Sequence, residues 1–475
     1  MTDSADDVRT RPAAGDIAAL TARLRAACGE RVVTSQAVRE QHGHGEGLAD
    51  AALPDVVVFP HGNEEVAAVV DLCSAARIPV IAFGVGTSLE GQVAALYGGV
   101  CLDLSQMNRV LEVNAEDLDC RVQAGVTREQ LNAELKGTGL FFPIDPGANA
   151  TLGGMASTRA SGTNAVRYGT MRENVLGLTV VTADARILRT GSRARKSSAG
   201  YDLTRLYVGA EGTLGIITEV QLRLYGVPEA ISAAVCQFPD LKSAVDTVIV
   251  ATQLGIPVAR VELLDDVQMG ACIRHSRLDG FEARPTLFFE FHGTQAGVRE
   301  QAEAIQSLAA DHGGSAFQWA TAPEDRSRLW KARHNAYYAV LALAPGRQAF
   351  ATDACVPISR LTDCVLETQA DVAQTGLVAP IVGHVGDGNF HLVILFDPAS
   401  PDERARAEGL ARRVSLRAIA MGGTCTGEHG IGVHKLDALV AEHGDAVSLM
   451  QTIKRALDPN DIMNPGKTVP MPRRG

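Results

Sequence analysis

The sequence predicts an α+β protein with at least two domains. At 475 residues, the chain is longer than the roughly 250–300 residues that one hydrophobic core usually supports. Strand-like and helix-like segments alternate along it, and the turn-rich stretch 226–229 separates two such series. We therefore predict an N-terminal helical segment at 1–50, domains at 51–228 and 229–423, and a C-terminal segment at 424–475.

The first series begins with an amphipathic helix at 16–29, which has apolar residues on one stripe. An apolar strand at 55–60, a helix at 63–77 and a strand at 79–83 then form a β-α-β unit, which implies neighbouring parallel strands. The remaining predicted elements are strands at 99–104 and 119–124, a helix at 127–138, a hairpin at 175–188 and a strand ending near 224.

The second series repeats strand and helix patterns up to the C-terminal segment. Its predicted strands are 233–238, 285–292, 315–319 and 349–356, and its predicted helices are 240–254, 295–312, 324–342, 359–375 and 401–421. Between the last two helices, residues 379–396 are predicted to form a hairpin that carries two histidines.

The composition excludes some classes of protein. The net charge of −11 argues against a nucleic-acid-binding protein, which usually shows a basic surface. No apolar run approaches the roughly 18 residues of a membrane span. Residues 1–15 are polar and lack the apolar core of a signal peptide, so a cytoplasmic location is expected. The nine scattered cysteines favour buried free thiols over a disulfide framework.

A glycine-rich turn follows the predicted strand 79–83. Residues 84–92, GVGTSLEGQ, offer backbone N–H groups and the hydroxyls of Thr87 and Ser88, a combination that suits a phosphate or pyrophosphate. The glycine spacing is neither the dinucleotide fingerprint nor a Walker A motif. A tight structural turn is the alternative interpretation. Further along, residues 145–163 are rich in small side chains, as expected where backbone lies flat along a planar ligand.

Two short segments near the C-terminus point to metal chemistry. They are GHVGDGNFH at 383–391 and GEHGIG at 427–432. Asp387-Gly388 is a strong signal for a two-residue hairpin loop, which would place His384 directly opposite His391 with Cβ atoms about 4.5–5.5 Å apart. Two imidazoles at that distance suit one metal ion. Glu428 is a candidate third ligand and His429 a candidate base, although a plain polar strand pair remains the alternative.

These segments together resemble a known family. The turn 84–92, the stretches 145–147 and 153–154, and 209–215 resemble the PCMH-type FAD-binding domain of the vanillyl-alcohol-oxidase flavoproteins. The segments 383–391, 427–432 and 458–467 resemble its metal-dependent 2-hydroxy-acid dehydrogenase branch, and 329–338 with 352–358 are most like cytochrome-type D-lactate dehydrogenases. The resemblance implies a two-subdomain FAD-binding domain, an α+β cap domain with an antiparallel sheet, and a C-terminal segment that returns to the FAD-binding domain.

The resemblance also implies the cofactor contacts. It implies non-covalent FAD whose pyrophosphate lies on the turn 84–92 and whose ring lies along 145–162 and 211–217. The implied FAD-binding residues are Phe83, Gly84, Val85, Gly86, Thr87, Ser88, Gln92, Pro146, Gly147, Thr151, Gly153, Gly154, Ser157, Ser161, Gly162, Tyr168, Gly169, Glu211, Gly212, Gly215, Ile216, Ile217 and Asn464.

The implied reaction is oxidation of a small D-2-hydroxy acid to a 2-oxo acid. Zinc or manganese would bind His384, His391 and Glu428, His429 would take the hydroxyl proton, and Arg333 would bind the carboxylate. A helix-surface salt bridge is the alternative role for Arg333.

Substrate and acceptor follow from the same resemblance. Related hydroxyglutarate enzymes carry a lysine where Ala351 and Thr352 stand here, so a short monocarboxylate such as D-lactate is favoured. Electrons would pass to an external cytochrome, quinone or electron-transfer flavoprotein, and a homodimer is compatible with the sequence. The alternatives are a glycolate oxidase subunit, a D-2-hydroxyglutarate dehydrogenase, a flavin-binding subunit that needs a partner, and a zinc-stabilised binding module.

Overall fold

The computed structural model describes residues 9–45 and 52–471. The helices are Ala14–Cys28 (α1), Gln36–Gly43 (α2), Asn63–Ala76 (α3), Arg128–Glu134 (α4), Leu152–Thr158 (α5), Ala165–Tyr168 (α6), Met171–Asn174 (α7), Leu203–Tyr207 (α8), Leu241–Gln253 (α9), Asp266–Ser276 (α10), Gln295–Asp311 (α11), Pro323–His334 (α12), Ala336–Leu341 (α13), Leu361–Thr375 (α14), Pro401–Ala420 (α15), Leu436–His443 (α16) and Ala446–Leu457 (α17).

The strands are short in the first half of the chain and longer in the second. They are Val32–Val33 (β1), Val56–Val58 (β2), Val80–Phe83 (β3), Val100–Asp103 (β4), Val110–Asn114 (β5), Asp119–Gln123 (β6), Leu140–Phe141 (β7), Val175–Val181 (β8), Ile187–Arg189 (β9), Ile216–Arg223 (β10), Tyr225–Gly226 (β11), Ala230–Gln237 (β12), Arg260–Leu264 (β13), Thr286–Gly293 (β14), Ser315–Ala320 (β15), Gln348–Ala351 (β16), Ala354–Cys355 (β17), Ile381–Gly383 (β18) and Asn389–Phe396 (β19).

The chain divides into two compact units. The first contains the chain up to Ala160, Thr170–Gly226 and the chain from Glu428 onwards, and the second contains Ser161–Gly169 and Val227–Gly427. Residues 1–8 and 46–51, on which part of the N-terminal predictions rested, lie outside the described residues.

The first unit contains two main sheets. One has the order β1-β2-β4-β3, with β2, β4 and β3 parallel, and the other is antiparallel with the order β5-β6-β10-β8-β9. The β-α-β unit is present, but the expectation that its strands are neighbours was wrong, because β4 lies between β2 and β3. Apolar strands such as Val56–Val58 are fully buried, as expected for parallel strands covered on both faces.

The second unit is built on an antiparallel sheet with the order β15-β12-β14-β13-β18-β19-β16, and β17 also pairs with β19. Within this sheet, β14 is buried on both faces. Phe289 and Phe291 lie in one hydrophobic core and Phe288 in another, because successive side chains of a strand point to opposite faces. β5, β13 and α10 are among the elements that were not predicted, and the predicted helix 324–342 is two helices, α12 and α13.

Candidate active site

The glycine-rich turn after β3 packs against the start of α5. A Cβ added to Gly84 would lie 2.3 Å from Thr151 Oγ1, and Gly86 has a φ of +74° with Phe83 Cζ only 2.8 Å from an added Cβ. Thr151 caps α5 by accepting a hydrogen bond from Gly154 N at 3.4 Å. The turn and the small-residue helix, both predicted to bind cofactor, therefore meet within one unit.

A histidine that the sequence did not single out supports this turn. His42 is 3% exposed and lies 4.5 Å from the Phe83 ring, centroid to centroid. Its Nδ1 is 2.7 Å from Val38 O and its Nε2 is 2.8 Å from Asp103 Oδ2. Both ring nitrogens are therefore committed to protein partners, which argues against a covalent link from His42 to a flavin.

Three further predicted cofactor residues converge in the same unit. Asn464 Nδ2 donates to Gln92 O at 3.0 Å and to Glu211 O at 2.7 Å. The backbone N–H of Glu211 donates to Ser157 O at 2.9 Å, which ties the residue to α5. Gly215 precedes β10, which begins with Ile216 and Ile217. Asn464, 253 residues from Glu211, thus joins the turn 84–92 to the segment before β10.

The candidate base lies beside a buried carboxylate. Glu90 is 2% exposed, with His429 Nδ1 at 3.6 Å and Lys435 Nζ at 2.8 Å from its Oε1 and His434 Nδ1 at 3.4 Å from its Oε2. Burial raises the pKa of Glu90, but the neighbouring Lys435, His429 and His434 outweigh burial and hold the pKa below its ordinary value. Glu90 was predicted only as part of the turn, without a role of its own.

In the second unit, the predicted hairpin register was wrong. Val382 pairs with His391 and Ile381 with Leu392, so His384 does not lie opposite His391 in the ladder. A 3₁₀ turn at Val385–Asp387, followed by Gly388 at φ +77°, joins the strands. His384 nevertheless reaches His391, and their ring centroids are 5.4 Å apart. His384 and His391 are therefore neighbours in space although they are not paired in the ladder.

Each of these histidines is held through Nδ1. His384 Nδ1 is 2.6 Å from Glu262 Oε1, and His391 Nδ1 donates to the backbone carbonyl of Thr352 at 2.9 Å. Carboxylate and carbonyl groups in these positions are the usual partners of metal-binding imidazoles, because they fix the tautomer and direct Nε2 towards the ion. The pair therefore fits a divalent metal better than it fits a plain polar strand pair.

Arg333 shares the same carboxylate. Its Nε donates to Glu262 Oε2 at 2.7 Å, so the ion pair is with a buried strand residue and not with a group on the helix surface. Glu262 is fully buried. Burial raises the pKa of Glu262, yet His384 and Arg333 hold it below its ordinary value. Glu262, missed in the sequence, thus orients two predicted site residues at once.

A second buried carboxylate lies near His391. Asp353 is 1% exposed and accepts hydrogen bonds from Asn389 Nδ2 at 2.7 Å and Thr426 Oγ1 at 2.8 Å. Its Oδ1 is 3.7 Å from His391 Nδ1. Asp353 therefore helps fix the strand on which His391 lies.

The predicted site residues divide between the units. Pro146, Gly147, Gly153, Gly212, Glu428 and His429 belong to the first unit. Ser161, Gly162, Tyr168 and Gly169, predicted to bind cofactor, belong to the second unit together with Arg333, His384 and His391. Tyr168 Oη is hydrogen-bonded to His292 Nδ1 at 2.8 Å, a contact that the sequence did not indicate.

Two family models match the chain. The model described as "FAD linked oxidases, C-terminal domain" matches residues 227–468, and the FAD binding domain model matches residues 54–191. The chain belongs to the FAD-linked oxidase family. This FAD-linked oxidase is 54% identical over 93% of its length to a probable mitochondrial D-lactate dehydrogenase of Danio rerio, of which 89% is covered.

A second relative and a solved structure agree. The oxidase is 46% identical over 95% of its length to a mitochondrial D-lactate dehydrogenase [cytochrome] of Arabidopsis thaliana, of which 80% is covered. It resembles the structure of p-cresol methylhydroxylase with a TM-score of 0.80 at 20% identity, over 97% of this chain and 98% of that one. The predicted family and α+β fold class are thereby confirmed.

The comparison also corrects one expectation. The cytoplasmic location was wrong, because these curated relatives are mitochondrial. The polar N-terminal residues were therefore a poor guide to location. Among the described residues of the oxidase, every helix is too short or too polar to cross a bilayer.

Proposed function

We propose that this chain is an FAD- and divalent-metal-dependent dehydrogenase that oxidises D-lactate to pyruvate and passes the electrons to an external acceptor. The observation that carries the proposal is the pair His384 and His391, with ring centroids 5.4 Å apart and each Nδ1 held by a protein oxygen. The FAD binding domain match and the names of both relatives support the same reaction.

The residues present fit a metal site. Two imidazoles whose Nδ1 atoms are bonded to protein oxygens suit zinc or manganese, and Glu428 is the proposed oxygen ligand. The metal would supply Lewis acidity and hold the substrate hydroxyl and carboxylate. Glu262 and Thr352 O would keep the imidazoles in the ligating orientation.

The protein's own groups then act on a bound 2-hydroxy acid. Arg333 uses Nε for Glu262, so its two terminal nitrogens are directed to the substrate carboxylate as a fork. His429 accepts the hydroxyl proton as a general base, and the buried Glu90, whose Oε1 is 3.6 Å from His429 Nδ1, stabilises the imidazolium that forms. When bound, FAD would supply the acceptor for the two electrons that leave the substrate as hydride from Cα. The 2-oxo acid and a protonated His429 would remain.

The structure also bears on the size of the substrate. Thr352 stands near the position where related hydroxyglutarate enzymes carry a lysine, and its hydroxyl accepts a hydrogen bond from Leu392 N at 2.8 Å. That side chain is therefore used within the sheet, and neither Ala351 nor Thr352 carries a positive charge for a second carboxylate. A short monocarboxylate suits this arrangement. A cytochrome, a quinone or an electron-transfer flavoprotein would then reoxidise the cofactor.

The test is anaerobic flavin bleaching of the purified protein. D-lactate, L-lactate, glycolate and D-2-hydroxyglutarate are compared, before and after EDTA treatment and after return of zinc or manganese. We expect rapid bleaching with D-lactate, loss of bleaching after EDTA and recovery with metal. Faster bleaching with glycolate or hydroxyglutarate would replace the lactate assignment, and full activity in EDTA would remove the metal from the mechanism.

Two variants separate the proposed roles. His384→Ala should lose both bound metal and bleaching, whereas His429→Ala should keep metal and flavin but bleach slowly. A yellow, metal-loaded wild-type protein that no hydroxy acid bleaches would instead indicate a subunit that requires a partner. A colourless protein that binds zinc would indicate a binding module without flavin.

A further inference from the structure

The side chain of Glu211 makes an unusual set of contacts for a residue predicted to touch cofactor. Glu211 is 4% exposed. Its Oε1 accepts a hydrogen bond from Ile431 N at 2.7 Å, and its Oε2 accepts one from Gly432 N at 2.8 Å and one from Thr468 Oγ1 at 2.8 Å. Two of these three donors are backbone amides of the segment that directly follows His429.

That segment is closely packed at both of its glycines. Gly430 has φ +83° and an added Cβ would lie 2.2 Å from Glu211 Oε1, while Gly432 has φ +50° and an added Cβ would lie 1.9 Å from Glu90 O. Gln92 Nε2 donates to His429 O at 2.8 Å. The segment is therefore held by Glu211 on one side and by the turn 84–92 on the other, with glycines where the approach is closest.

The backbone of Glu211 is held independently of the segment that its side chain binds. Its backbone N–H is bonded to Ser157 O and its carbonyl to Asn464 Nδ2, and its φ of +52° is a conformation that non-glycine residues rarely adopt. A strained backbone persists where its surroundings determine it. Here the two carboxylate oxygens of Glu211 accept hydrogen bonds from two consecutive backbone amides. Such a bidentate arrangement fixes both the position and the orientation of the bound backbone.

We propose that Glu211 is a positioning residue that acts through His429. By fixing the peptide groups of Ile431 and Gly432, its carboxylate sets the backbone from which the His429 imidazole projects, and Glu90 Oε1 lies 3.6 Å from Nδ1 of that ring. The proposal rests on the proposed function, in which His429 is the base. It assigns Glu211 a role in the chemical step and not in holding FAD.

The test is a double-mutant cycle with Glu211→Gln, His429→Ala and the double variant. A glutamine keeps the shape but places an NH₂ group against one backbone donor, so one hydrogen bond is lost and two donors face each other. Anaerobic flavin reduction is measured in a single turnover, with hours of observation for slow variants, and FAD and metal contents are measured in parallel. Glu219→Gln, another buried glutamate of this unit, is the matched control.

We expect Glu211→Gln to slow flavin reduction about tenfold or more with FAD content, metal content and KM near wild type. In the His429→Ala background the same change should slow reduction less than twofold, because residues that act through one group are not additive. Gly430→Ala would place a methyl group 2.2 Å from Glu211 Oε1 and should slow reduction to a similar extent. This variant replaces Glu211→Gln in the test if Glu211→Gln does not fold. Glu219→Gln should leave the rate unchanged.

Two results would overturn the proposal. Equal losses from Glu211→Gln in both backgrounds would show that Glu211 does not act through His429. Loss of FAD with a normal rate per bound flavin would return Glu211 to cofactor binding. A wild-type rate in His429→Ala alone is a different outcome, because it removes the base from the proposed function whatever Glu211 does.

Discussion

Glu262 is the residue on which the candidate site of the second unit depends. Its carboxylate is fully buried and is bonded to Arg333 Nε and to His384 Nδ1. Glu262→Gln would leave both groups beside a neutral amide. We expect metal affinity to fall about 10- to 100-fold and stability to fall by about 3 kcal/mol, measured by metal titration and thermal unfolding.

Glu290→Gln provides a matched control. Glu290 lies on the neighbouring strand, is 8% exposed, and is paired with His292 at 2.8 Å and Arg260 at 3.3 Å. Its replacement should also cost stability but should leave metal affinity unchanged. If both variants lost metal equally, Glu262 would support the sheet in general and not the histidine pair.

Lys467 gives a prediction on pH dependence. It is 3% exposed, its Nζ donates to Asn464 Oδ1 at 2.6 Å, and burial lowers its pKa to about 7. Between pH 7 and the ordinary lysine pKa of about 10.4, the unfolded chain binds a proton that the folded chain does not. Stability should therefore rise with pH across this window, by up to about 1.4 kcal/mol per unit.

Lys467→Met removes the titrating group. The unfolding midpoint of the variant relative to wild type should be highest near pH 6.5 and should fall steadily towards pH 9. Lys136→Met, at an exposed lysine, should show an offset that does not change with pH. A pH-independent offset for Lys467→Met would mean that the buried amine keeps its proton throughout this range.

At the scale of elements, the turn 385–388 explains how His384 reaches His391 without facing it in the ladder. Gly388 has φ +77°, and an added Cβ would lie 2.2 Å from the backbone oxygen of Val356. Gly388→Ala therefore combines a left-handed conformation, which costs about 1 kcal/mol, with a clash that only backbone movement relieves. We expect a loss of about 3 kcal/mol together with loss of metal.

Gly422→Ala separates these two effects. Gly422 has a similar φ of +81°, but an added Cβ would have open space around it. This variant should cost only about 1 kcal/mol and should retain metal and activity. Equal unfolding midpoints for the two variants would mean that the turn yields easily, and the argument for a fixed His384 would fail.

Element by element, local patterns predicted most helices and strands but not all of their pairings. β13 was missed because its sequence, RVELL, carries Arg260 and Glu262, whose charges are satisfied by distant partners that a local pattern cannot show. The order β2-β4-β3 was missed for a similar reason. β4 follows β3 in the chain but pairs between β2 and β3, and the sequence of β2 and β3 does not show that another strand lies between them. The hairpin register failed because Asp387-Gly388 ends a longer turn.

At the scale of the whole molecule, the candidate site residues also divide into those that local sequence patterns reveal and those that only distant contacts reveal. The histidines stand in short glycine-rich segments that are recognisable along the chain. Glu262, Glu90 and Asp353 carried no predicted role of their own. Glu262 lies 122 residues from His384, Asp353 lies 73 residues from Thr426, and Glu90 lies more than 300 residues from His429. Their importance comes from burial and from non-local hydrogen bonds, and sequence analysis therefore recovers reacting groups more readily than the groups that hold them.

The nine cysteines give a prediction for the molecule as a whole. All lie in the described ranges as thiols, eight of them buried and Cys355 partly exposed. Burial raises the pKa of Cys120 to about 12 and of Cys236 and Cys364 to about 11. Because the thiolate is the reactive form, these thiols should be inert while the protein is folded.

A thiol-specific chromogenic reagent should therefore titrate no more than one thiol per chain rapidly in the native protein, and all nine after denaturation without reductant. Cys355→Ser should abolish the native reaction and leave the denatured total one lower. Fewer than nine in denatured wild type would reveal a disulfide that the folded chain does not show. Several fast thiols in the native protein would mean that at least one of the cores opens on the timescale of the reaction, because each buried cysteine reports on the core that encloses it.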